Sequence, residues 1–356
     1  MDRINCNQGL LDLIDCPAFC VENGIIAQAN DAAKGLLIVE NTPVAELVKT
    51  GLEEYHGMVD GSLCLTMDIQ GKSFGAFVNR TGDQDVFFLD LEEEEDPVKR
   101  GLSLASASLR SPLQRIVGAL DSIRHLPGEK DPELEKLLNV INRGSFQILR
   151  QVVNMSDAAL YPTEELSCQI LNINELLREI AEKTGSLLDK KGIQVICTPS
   201  NDDLIVPANR EKVERAIHNL ILNAANSIGP TQGEIQLSVN KNEDRLYITV
   251  SDNGRGIPDE VMSNIFFRYR RKPTLESIRQ GLGLGLSLVR SVAAAHGGTV
   301  LIERGKPQGA KVTMSLKIMQ FDGATLRQPR FQFDYAGEFD HALVELSDIL
   351  PEDLYM

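Results

Sequence analysis

Two amides in the C-terminal half of the chain could bind a metal ion. Asn219 and Asn223 are four residues apart in a stretch whose apolar residues recur with helical spacing, so both side chains are expected on one helix face. An amide carbonyl oxygen is a hard ligand, and Mg²⁺ takes few protein ligands beside phosphate oxygens and water. Asn223 is the better candidate ligand. The plainer alternative is a pair of asparagines that face solvent.

The next candidate group is the carboxylate of Asp252, which stands 29 residues after Asn223. It directly follows residues 246–251, whose alternation and β-branching predict a strand that ends at Asp252. Gly254 and Gly256 then predict a turn that lets the backbone approach a ligand closely. A carboxylate held there can accept a hydrogen bond from an exocyclic amine such as that of adenine, and such a site rejects analogues that lack the amine. A simple turn is the alternative.

Three glycines precede the next predicted helix. Gly281, Gly283 and Gly285 come before residues 286–295, which have a helical pattern. A glycine-rich loop that opens a helix directs free backbone N–H groups and the positive end of the helix dipole at phosphate. The stretch lacks the Lys-Ser/Thr of a P-loop and the Rossmann spacing, so it indicates phosphate binding of another type.

The order of these groups is informative, since 29 residues also separate Asp252 from Gly281 and an aromatic box at residues 265–269 lies between them. With this order, residues 171–318 resemble the GHKL ATP-binding superfamily, and within it the catalytic domain of bacterial sensor histidine kinases, at the N, G1, F and G2 boxes. The resemblance implies a Bergerat-type α/β sandwich that binds ATP and Mg²⁺. The implied nucleotide-binding residues are Asn219, Asn223, Asn226, Asp252, Gly254, Gly256, Arg268, Gly281, Leu282, Gly283, Leu284 and Gly285.

The resemblance also implies roles for these residues, namely Mg²⁺ on Asn223, adenine on Asp252 and phosphates beneath a lid at residues 270–285. Two departures matter. Asn226 stands where histidine kinases often carry Lys or Arg, so phosphate contacts are expected to be weaker or to come from nearby arginines. Asn219 stands where hydrolytic members carry a water-activating Glu, which argues against a dedicated ATP hydrolase. The nearby arginines that could contact phosphate in place of a Lys or Arg at position 226 are Arg268, Arg270 and Arg271.

Residues 96–160 predict two helices that pack on each other. Apolar residues keep a three-four spacing through both helices, and Asp131 followed by Pro132 marks the start of the second. A hairpin of this kind buries little alone, so pairing of residues 97–125 and 131–160 with a second copy into a four-helix bundle would complete it. We therefore expect a homodimer.

Residues 106–113 in the first of these helices read Ser-Ala-Ser-Leu-Arg-Ser-Pro-Leu. They resemble the phosphoacceptor segment of histidine kinases, whose pattern is Ser-His-Glu-Leu-Arg-Thr-Pro-Leu. Ala107 thus replaces the phosphoacceptor histidine and Ser108 the adjacent acidic residue. Alanine carries no nucleophile, and serine is a poor substitute for the carboxylate that orients the attacking imidazole. Self-phosphorylation on histidine is predicted to be lost or altered.

Other residues do not restore this reaction by position. His125 lies near the far end of the hairpin and His218 precedes the asparagine box, so each is expected to be a structural or surface residue. Ser106 or Ser108 could accept phosphate, and this alternative stays open. The phosphatase activity of the family is not expected either, because Ser111 stands where the family usually has Thr or Asn.

The N-terminal residues 1–95 alternate short apolar strands with turns, and helical stretches are predicted near residues 30–37 and 44–52. This pattern resembles a PAS domain, most clearly at residues 19–33. No residue marks a haem or flavin ligand.

The tail, residues 319–356, lies outside these resemblances. It alternates like a strand at residues 330–335 and has a short helical pattern at residues 343–350. Packing on its own nucleotide domain and service as a partner-docking or autoinhibitory arm are both open.

Composition narrows the class of protein. A composition of 42% hydrophobic and 24% charged residues over 356 residues is that of a globular protein of two or three domains. A net charge of −15 disfavours binding to nucleic acid or anionic membranes. The six cysteines form no Cys-x-x-C pair, which predicts free thiols in a reducing cytosol. No apolar run reaches the length of a membrane helix, so we expect a cytoplasmic protein.

These patterns predict a multi-domain α+β chain. Its parts are a PAS-like α/β sensor domain at 1–95, a dimeric, phosphoacceptor-like helical hairpin at 96–160, an ATP-binding α/β sandwich at 170–318 and a tail at 319–356. The resemblance implies a sensor histidine kinase homologue that binds Mg-ATP but lacks the phosphoacceptor. The alternatives are an active kinase that phosphorylates a partner protein in trans, with a response regulator or partner kinase as that protein, and a nonenzymatic dimeric scaffold.

Overall fold

The computed structural model describes most of the chain. The described residues are 11, 14, 16–82, 84–90, 109, 112–123, 131–160, 168–202, 204–229, 232–258, 284–305, 307–318 and 340–355. Outside them lie residues 106–108, 110 and 111 of the predicted phosphoacceptor segment, together with His125, residues 265–283 and the strand predicted at 330–335.

The N-terminal part is an antiparallel sheet with short helices between its strands. The strands run in the order β2-β1-β6-β5-β4, and β3 pairs with β4 off this path. The elements are β1 (Ala18–Glu22), β2 (Ile25–Ala29), α1 (Asp31–Gly35), β3 (Val48–Thr50), α2 (Leu52–Gly57), β4 (Gly61–Ile69), β5 (Lys72–Thr81) and β6 (Gln84–Asp90).

The helix predicted near residues 44–52 is wrong. A single 3-10 turn covers Val44–Glu46, Val48–Thr50 is strand β3, and the helix begins only at Leu52. The β-branched side chains of Val48 and Thr50 favour a strand. Gly51 then takes a φ of 97°, which interrupts any helix at that point.

The second helix of the predicted hairpin is present as α3 (Pro132–Leu160). Asp131 caps it, because its Oδ1 accepts a hydrogen bond of 3.0 Å from the backbone N–H of Glu133. Residues 112–123 are also helical. One side of α3 is buried in the chain, while its other side leaves a stripe of apolar residues about half exposed, namely Leu134, Leu137, Ile141 and Ile148.

The C-terminal part is a five-stranded sheet covered by helices. Its order is β8-β10-β11-β13-β12, with β8 parallel to β10 and the other pairs antiparallel. The elements are β7 (Gln169–Asn172), α4 (Ile173–Leu188), β8 (Ile193–Thr198), β9 (Ile205–Ala208), α5 (Arg210–Ser227), β10 (Gly233–Asn242), β11 (Arg245–Asp252), α6 (Leu284–Ala295), β12 (Val300–Arg304), β13 (Ala310–Lys317) and α7 (His341–Glu345).

The mixed α/β character that the sequence predicts is confirmed. Helix α5 is buried along most of its length because apolar residues at helical spacing, among them Ile217, Leu220 and Ile221, face the sheet. Strand β9 pairs antiparallel with β7 in a separate two-stranded sheet.

The two sheets are joined edge to edge, which the sequence did not predict. Strand β4 pairs antiparallel with β12, so that eleven strands of the described residues form one sheet. Arg290 of α6 supports this joint, since its Nη1 lies 3.1 Å from Asp90 Oδ2 and its guanidinium lies over the ring of Phe77. Glu54 also crosses the joint, with its Oε1 3.3 Å from Arg245 Nη1.

The expectation that all cysteines are free thiols is wrong at Cys20, which is disulfide-bonded. Cys64, Cys168 and Cys197 remain thiols, and burial raises the pKa of each. No Cys-x-x-C spacing marked Cys20, because disulfide pairing depends on the approach of residues in space. Cysteine usage therefore does not indicate a reducing compartment.

Candidate functional site

Asp252 ends strand β11 with its carboxylate fixed by two hydrogen bonds. Its Oδ1 accepts one from Ser227 Oγ at 2.6 Å and one from the backbone N–H of Gly254 at 2.9 Å. Ser227 is the last residue of α5, so these bonds tie the end of the strand to the end of the helix. The carboxylate is held in one orientation at the surface of the sheet.

The turn after Asp252 is fixed on both sides. Asn253 Oδ1 accepts a hydrogen bond of 2.9 Å from the backbone N–H of Glu234, and the N–H of Arg255 donates to the Ser227 carbonyl at 3.1 Å. A Cβ at Gly254 would lie 2.0 Å from Ser227 Oγ, so this position requires glycine. The backbone of this turn therefore packs closely against the end of α5.

Ser227 is a site residue that sequence reasoning missed. Its signal was a hydroxyl directly after Asn226, at the end of a helix that already carried two candidate asparagines. The contact with Asp252 spans 25 residues, which no local pattern marks.

Helix α5 positions the asparagines differently from one another. Asn223 and Asn226 are exposed near its C-terminal end, whereas Asn219, one turn earlier, is only 1% exposed. The Nδ2 of Asn219 donates to the Arg215 carbonyl at 2.9 Å and to Glu345 Oε2 at 3.3 Å. Asn219 is buried because α6 and the C-terminal α7 cover this part of α5.

The glycine-rich segment is described only at its end. Arg268, Gly281, Leu282 and Gly283 lie outside the described residues, while Leu284 and Gly285 form the first turn of α6. A Cβ at Gly285 would lie 2.7 Å from Asn219 Oδ1, so glycine lets the start of α6 approach α5 directly. The structure thus brings the asparagine helix and the end of the glycine segment together.

His296 fixes the other end of α6 against α5. Its Nδ1 lies 2.7 Å from the Val292 carbonyl, and its Nε2 accepts a 3.1 Å hydrogen bond from the backbone N–H of Asn209. These partners place the proton on Nδ1. Burial lowers the pKa of His296, which keeps the ring neutral. Asn209 is the N-cap of α5, so α6 is held to α5 at both ends.

His218 is fully buried on α5, and neither ring nitrogen has a hydrogen-bond partner among the described residues. Burial lowers its pKa, although the carboxylates of Glu214 and Glu345 oppose this shift. This burial agrees with the expectation that His218 is structural.

Residues 208–320 match the family described as histidine kinase-, DNA gyrase B-, and HSP90-like ATPase. Sensor histidine kinase YcbM of Bacillus subtilis is 26% identical over 230 residues, which cover 64% of this chain and 74% of that protein. Sensor histidine kinase TmoS of Ectopseudomonas mendocina is 30% identical over 223 residues, 62% of this chain but 23% of that protein.

Among solved structures, full-length ShkA in complex with AMPPNP is similar in fold. The TM-score is 0.51 and the identity 22%, with 63% of this chain and 46% of that chain covered. The chain therefore spans less than half of this neighbour and less than a quarter of TmoS. Within the described residues, no helix has the length and apolar character required to cross a membrane.

Proposed function

We propose that this chain binds Mg-ATP in signal transduction without phosphorylating itself on histidine. The chain is a homologue of the sensor histidine kinases, and its residues 208–320 match the histidine kinase-, DNA gyrase B-, and HSP90-like ATPase family. Its nucleotide region retains the groups that binding needs, while the sequence has alanine at the phosphoacceptor position. The sensor domain at 1–95, the hairpin at 96–160, the ATP-binding domain at 170–318 and the tail at 319–356 remain the proposed division of the chain.

The Asp252 turn is the observation that carries nucleotide binding. A carboxylate held by Ser227 Oγ and the Gly254 N–H is pre-organised to accept a hydrogen bond from the adenine amine. Asn223 is exposed one helical turn before Ser227 and presents a hard amide oxygen that suits Mg²⁺. ATP supplies a transferable phosphoryl group and Mg²⁺ screens its charge. The other proposed contacts are Asn219, Asn226, Gly254, Gly256, Arg268 and residues 281–285.

The absence of self-phosphorylation rests on Ala107 and Ser108. Neither side chain offers the imidazole or the carboxylate that the reaction requires. His218 does not take the place of the phosphoacceptor, because it precedes the asparagine box in the nucleotide region and lies outside the helical hairpin. ATP then acts as a ligand that shifts the protein between conformations, and a partner reads the result.

Helix α3 supports the proposed homodimer. Its apolar residues Leu134, Leu137, Ile141 and Ile148 follow one stripe of the helix, and each is about half exposed. A second copy that pairs its hairpin with residues 97–125 and 131–160 would bury this stripe in a four-helix bundle. The sheet of residues 18–90, with helices between its strands, is compatible with a PAS-like sensor.

A second candidate is an active kinase that phosphorylates a partner protein in trans, such as a response regulator or a partner kinase. The retained nucleotide groups favour it over a nonenzymatic scaffold, which would have no need of them. Transfer of label from γ-labelled ATP to an added partner protein, but not to this chain, is its distinguishing result.

Mg-ATP binding is tested by equilibrium unfolding of the full chain. Mg-ATP at about 100 times its dissociation constant is expected to raise the free energy of unfolding by roughly 2.7 kcal/mol. Asp252→Asn should abolish this increase, because the amide cannot keep both bonds of Oδ1 and still accept from adenine. Asp244→Asn is the matched control, since Asp244 is an exposed acidic residue in the turn before β11. Identical responses of wild type and Asp252→Asn would refute the proposed site.

A further inference from the structure

The C-terminal segment, residues 340–355, packs between the hairpin helix α3 and the nucleotide helix α5. Asp340 caps its helix α7 by accepting from the N–H groups of Ala342 and Leu343. Val344, Leu346, Leu350 and Tyr355 are all at most 1% exposed. A segment with this many buried apolar side chains is part of the folded core.

Glu345 is the charged residue at the centre of this contact, and none of its surface is exposed. Its Oε1 lies 3.0 Å from Arg215 Nε, and its Oε2 lies 3.4 Å from Arg150 Nε. Burial alone would raise the pKa of Glu345, yet the two guanidinium groups hold it below its ordinary value. The carboxylate is therefore ionised. Buried charges are costly unless they are paired. Because Arg150 lies on α3, Arg215 on α5 and Glu345 on α7, this cluster holds the three helices together.

The same carboxylate determines which way the amide of Asn219 faces. An ionised carboxylate can only accept hydrogen bonds, so the Nδ2 of Asn219 must point towards Glu345 Oε2, 3.3 Å away. The Arg215 carbonyl accepts from the same Nδ2 at 2.9 Å and favours the same orientation. Asn219 Oδ1 is consequently directed to the opposite side.

Asn219 Oδ1 faces the start of α6, where Gly285 follows the glycine-rich segment. Within the described part of the chain this oxygen is buried and accepts no hydrogen bond. A buried carbonyl without a donor is unfavourable, and such groups are uncommon in folded proteins. The triphosphate can only accept hydrogen bonds, so the donor that would satisfy this oxygen is a water bound to Mg²⁺, whose proposed ligand Asn223 lies one turn away on α5.

We propose that Glu345 is a positioning residue for the nucleotide site. It holds Asn219 Oδ1 towards the start of α6, where this oxygen would accept a hydrogen bond from a water bound to the Mg²⁺ of Mg-ATP. This inference rests on the proposed function of the site. It makes the C-terminal segment a part of the nucleotide site, although that segment lies beyond the matched ATPase residues 208–320.

A purely structural role is the competing explanation, since Glu345 also neutralises Arg215 and Arg150. The two roles differ in how Glu345 and Asn219 are coupled. If Glu345 acts through Asn219, its replacement should matter for nucleotide affinity only while Asn219 is present. If it only stabilises the fold, the two substitutions should act independently.

The experiment is a double-mutant cycle on the full chain, with the dissociation constant of Mg-ATP measured by calorimetric titration. Glu345→Gln keeps the shape but allows the amide of Asn219 to turn, and we expect about tenfold weaker binding, as for Asn219→Ala. The double variant should bind no more weakly than Asn219→Ala alone. Additive losses, or unchanged affinity in Glu345→Gln, would overturn the proposal.

A matched control separates affinity from stability. Asp348→Asn removes the other carboxylate that pairs with Arg150 in the same segment. It should lower the melting temperature while leaving the dissociation constant of Mg-ATP unchanged. If it weakens binding as much as Glu345→Gln does, loosening of the segment explains the effect and the positioning role fails.

A second pair of variants keeps the test informative if Glu345→Gln alone folds poorly. Asn219→Asp places a second carboxylate against Glu345, and adding Glu345→Gln restores a donor opposite an acceptor. Binding should therefore recover in the double variant relative to Asn219→Asp, and no recovery would refute the coupling. Failure of the wild type to bind Mg-ATP would instead refute the proposed function, and the inference with it.

Discussion

The two ends of helix α5 differ in what they expose and in what they contact. The C-terminal end presents Asn223 and Asn226 to solvent and uses Ser227 to hold Asp252. The preceding turns bury Arg215 and His218 beneath α6 and α7. Helix α5 thus carries groups available to a ligand at its C-terminal end and groups that fix the position of the helix in its preceding turns. Substitutions at the exposed end should change affinity, and substitutions of Arg215 and His218 should change stability.

The largest effect is expected at the buried end, from Arg215→Met. Arg215 is 1% exposed and pairs with Glu345, while its Nη2 donates to Asn154 Oδ1 at 2.8 Å. Loss of one partner of a buried ion pair should lower the free energy of unfolding by about 3–5 kcal/mol, measured by urea denaturation. Lys190→Met is the control, because its pair with Asp353 is exposed and should contribute less than about 1 kcal/mol. Equal losses would show that the buried cluster is not distinctive.

Gly254→Ala tests the junction between the helix end and the Asp252 turn. The new Cβ would lie 2.0 Å from Ser227 Oγ, so the turn must move. We expect a loss of about 1–3 kcal/mol in stability and loss of detectable Mg-ATP binding by calorimetry. Gly229→Ala adds a Cβ into open space and should stay within about 0.5 kcal/mol of wild type. Full nucleotide affinity in Gly254→Ala would contradict the site.

Ser227→Ala should separate affinity from stability at the exposed end. It removes the 2.6 Å hydrogen bond to Asp252 Oδ1 and leaves the Gly254 N–H in place. Mg-ATP should bind about tenfold more weakly, equivalent to ~1.4 kcal/mol, with little change in melting temperature. Ser186→Ala is the matched control, since Ser186 Oγ donates only to a carbonyl of its own helix at an exposed position. A purely thermal effect in Ser227→Ala would assign it a structural role.

The smallest effect concerns pH and the buried His218. Burial lowers its pKa below the ordinary 6.5, so the unfolded state binds this proton more readily. Its contribution is present above pH 6.5 and is lost as the pH falls below that value, by up to about 1.4 kcal/mol per pH unit. His218→Leu should remove this part of the pH dependence in urea denaturation between pH 7 and pH 5.5. Charged neighbours that share the titration are Glu214, Glu345, Asp340 and His341. An unchanged slope would show that the pKa of His218 is the same in the folded and the unfolded state.

The elements of the site could be predicted from the sequence because their signals are local. Helical spacing located the asparagine helix, alternation located β11, and Gly254 marked the turn at its end. The contacts that complete the site could not be predicted in this way. Glu345 meets Arg215 across 130 residues and Ser227 meets Asp252 across 25, and neither pairing has a periodicity.

The edge pairing of β4 with β12 was unpredictable for the same reason. Each strand has an ordinary apolar pattern, and only the folded arrangement shows that Leu63 lies opposite Leu301. Apolar spacing alone likewise predicted a helix through Val48 and Gly51. In the structure, Val48 lies in strand β3 and Gly51 has a left-handed backbone conformation just before α2. Local patterns identify elements, while the partner of an exposed edge or a buried charge depends on the whole fold.

The central claim is that the chain binds Mg-ATP without phosphorylating itself on histidine. It is tested most directly by transfer of label from γ-labelled Mg-ATP to the purified full chain, with binding measured on the same preparation. We predict saturable binding and no acid-labile label. Acid-labile, alkali-stable label that Asp252→Asn abolishes would contradict this claim, because it would show a phosphohistidine despite Ala107.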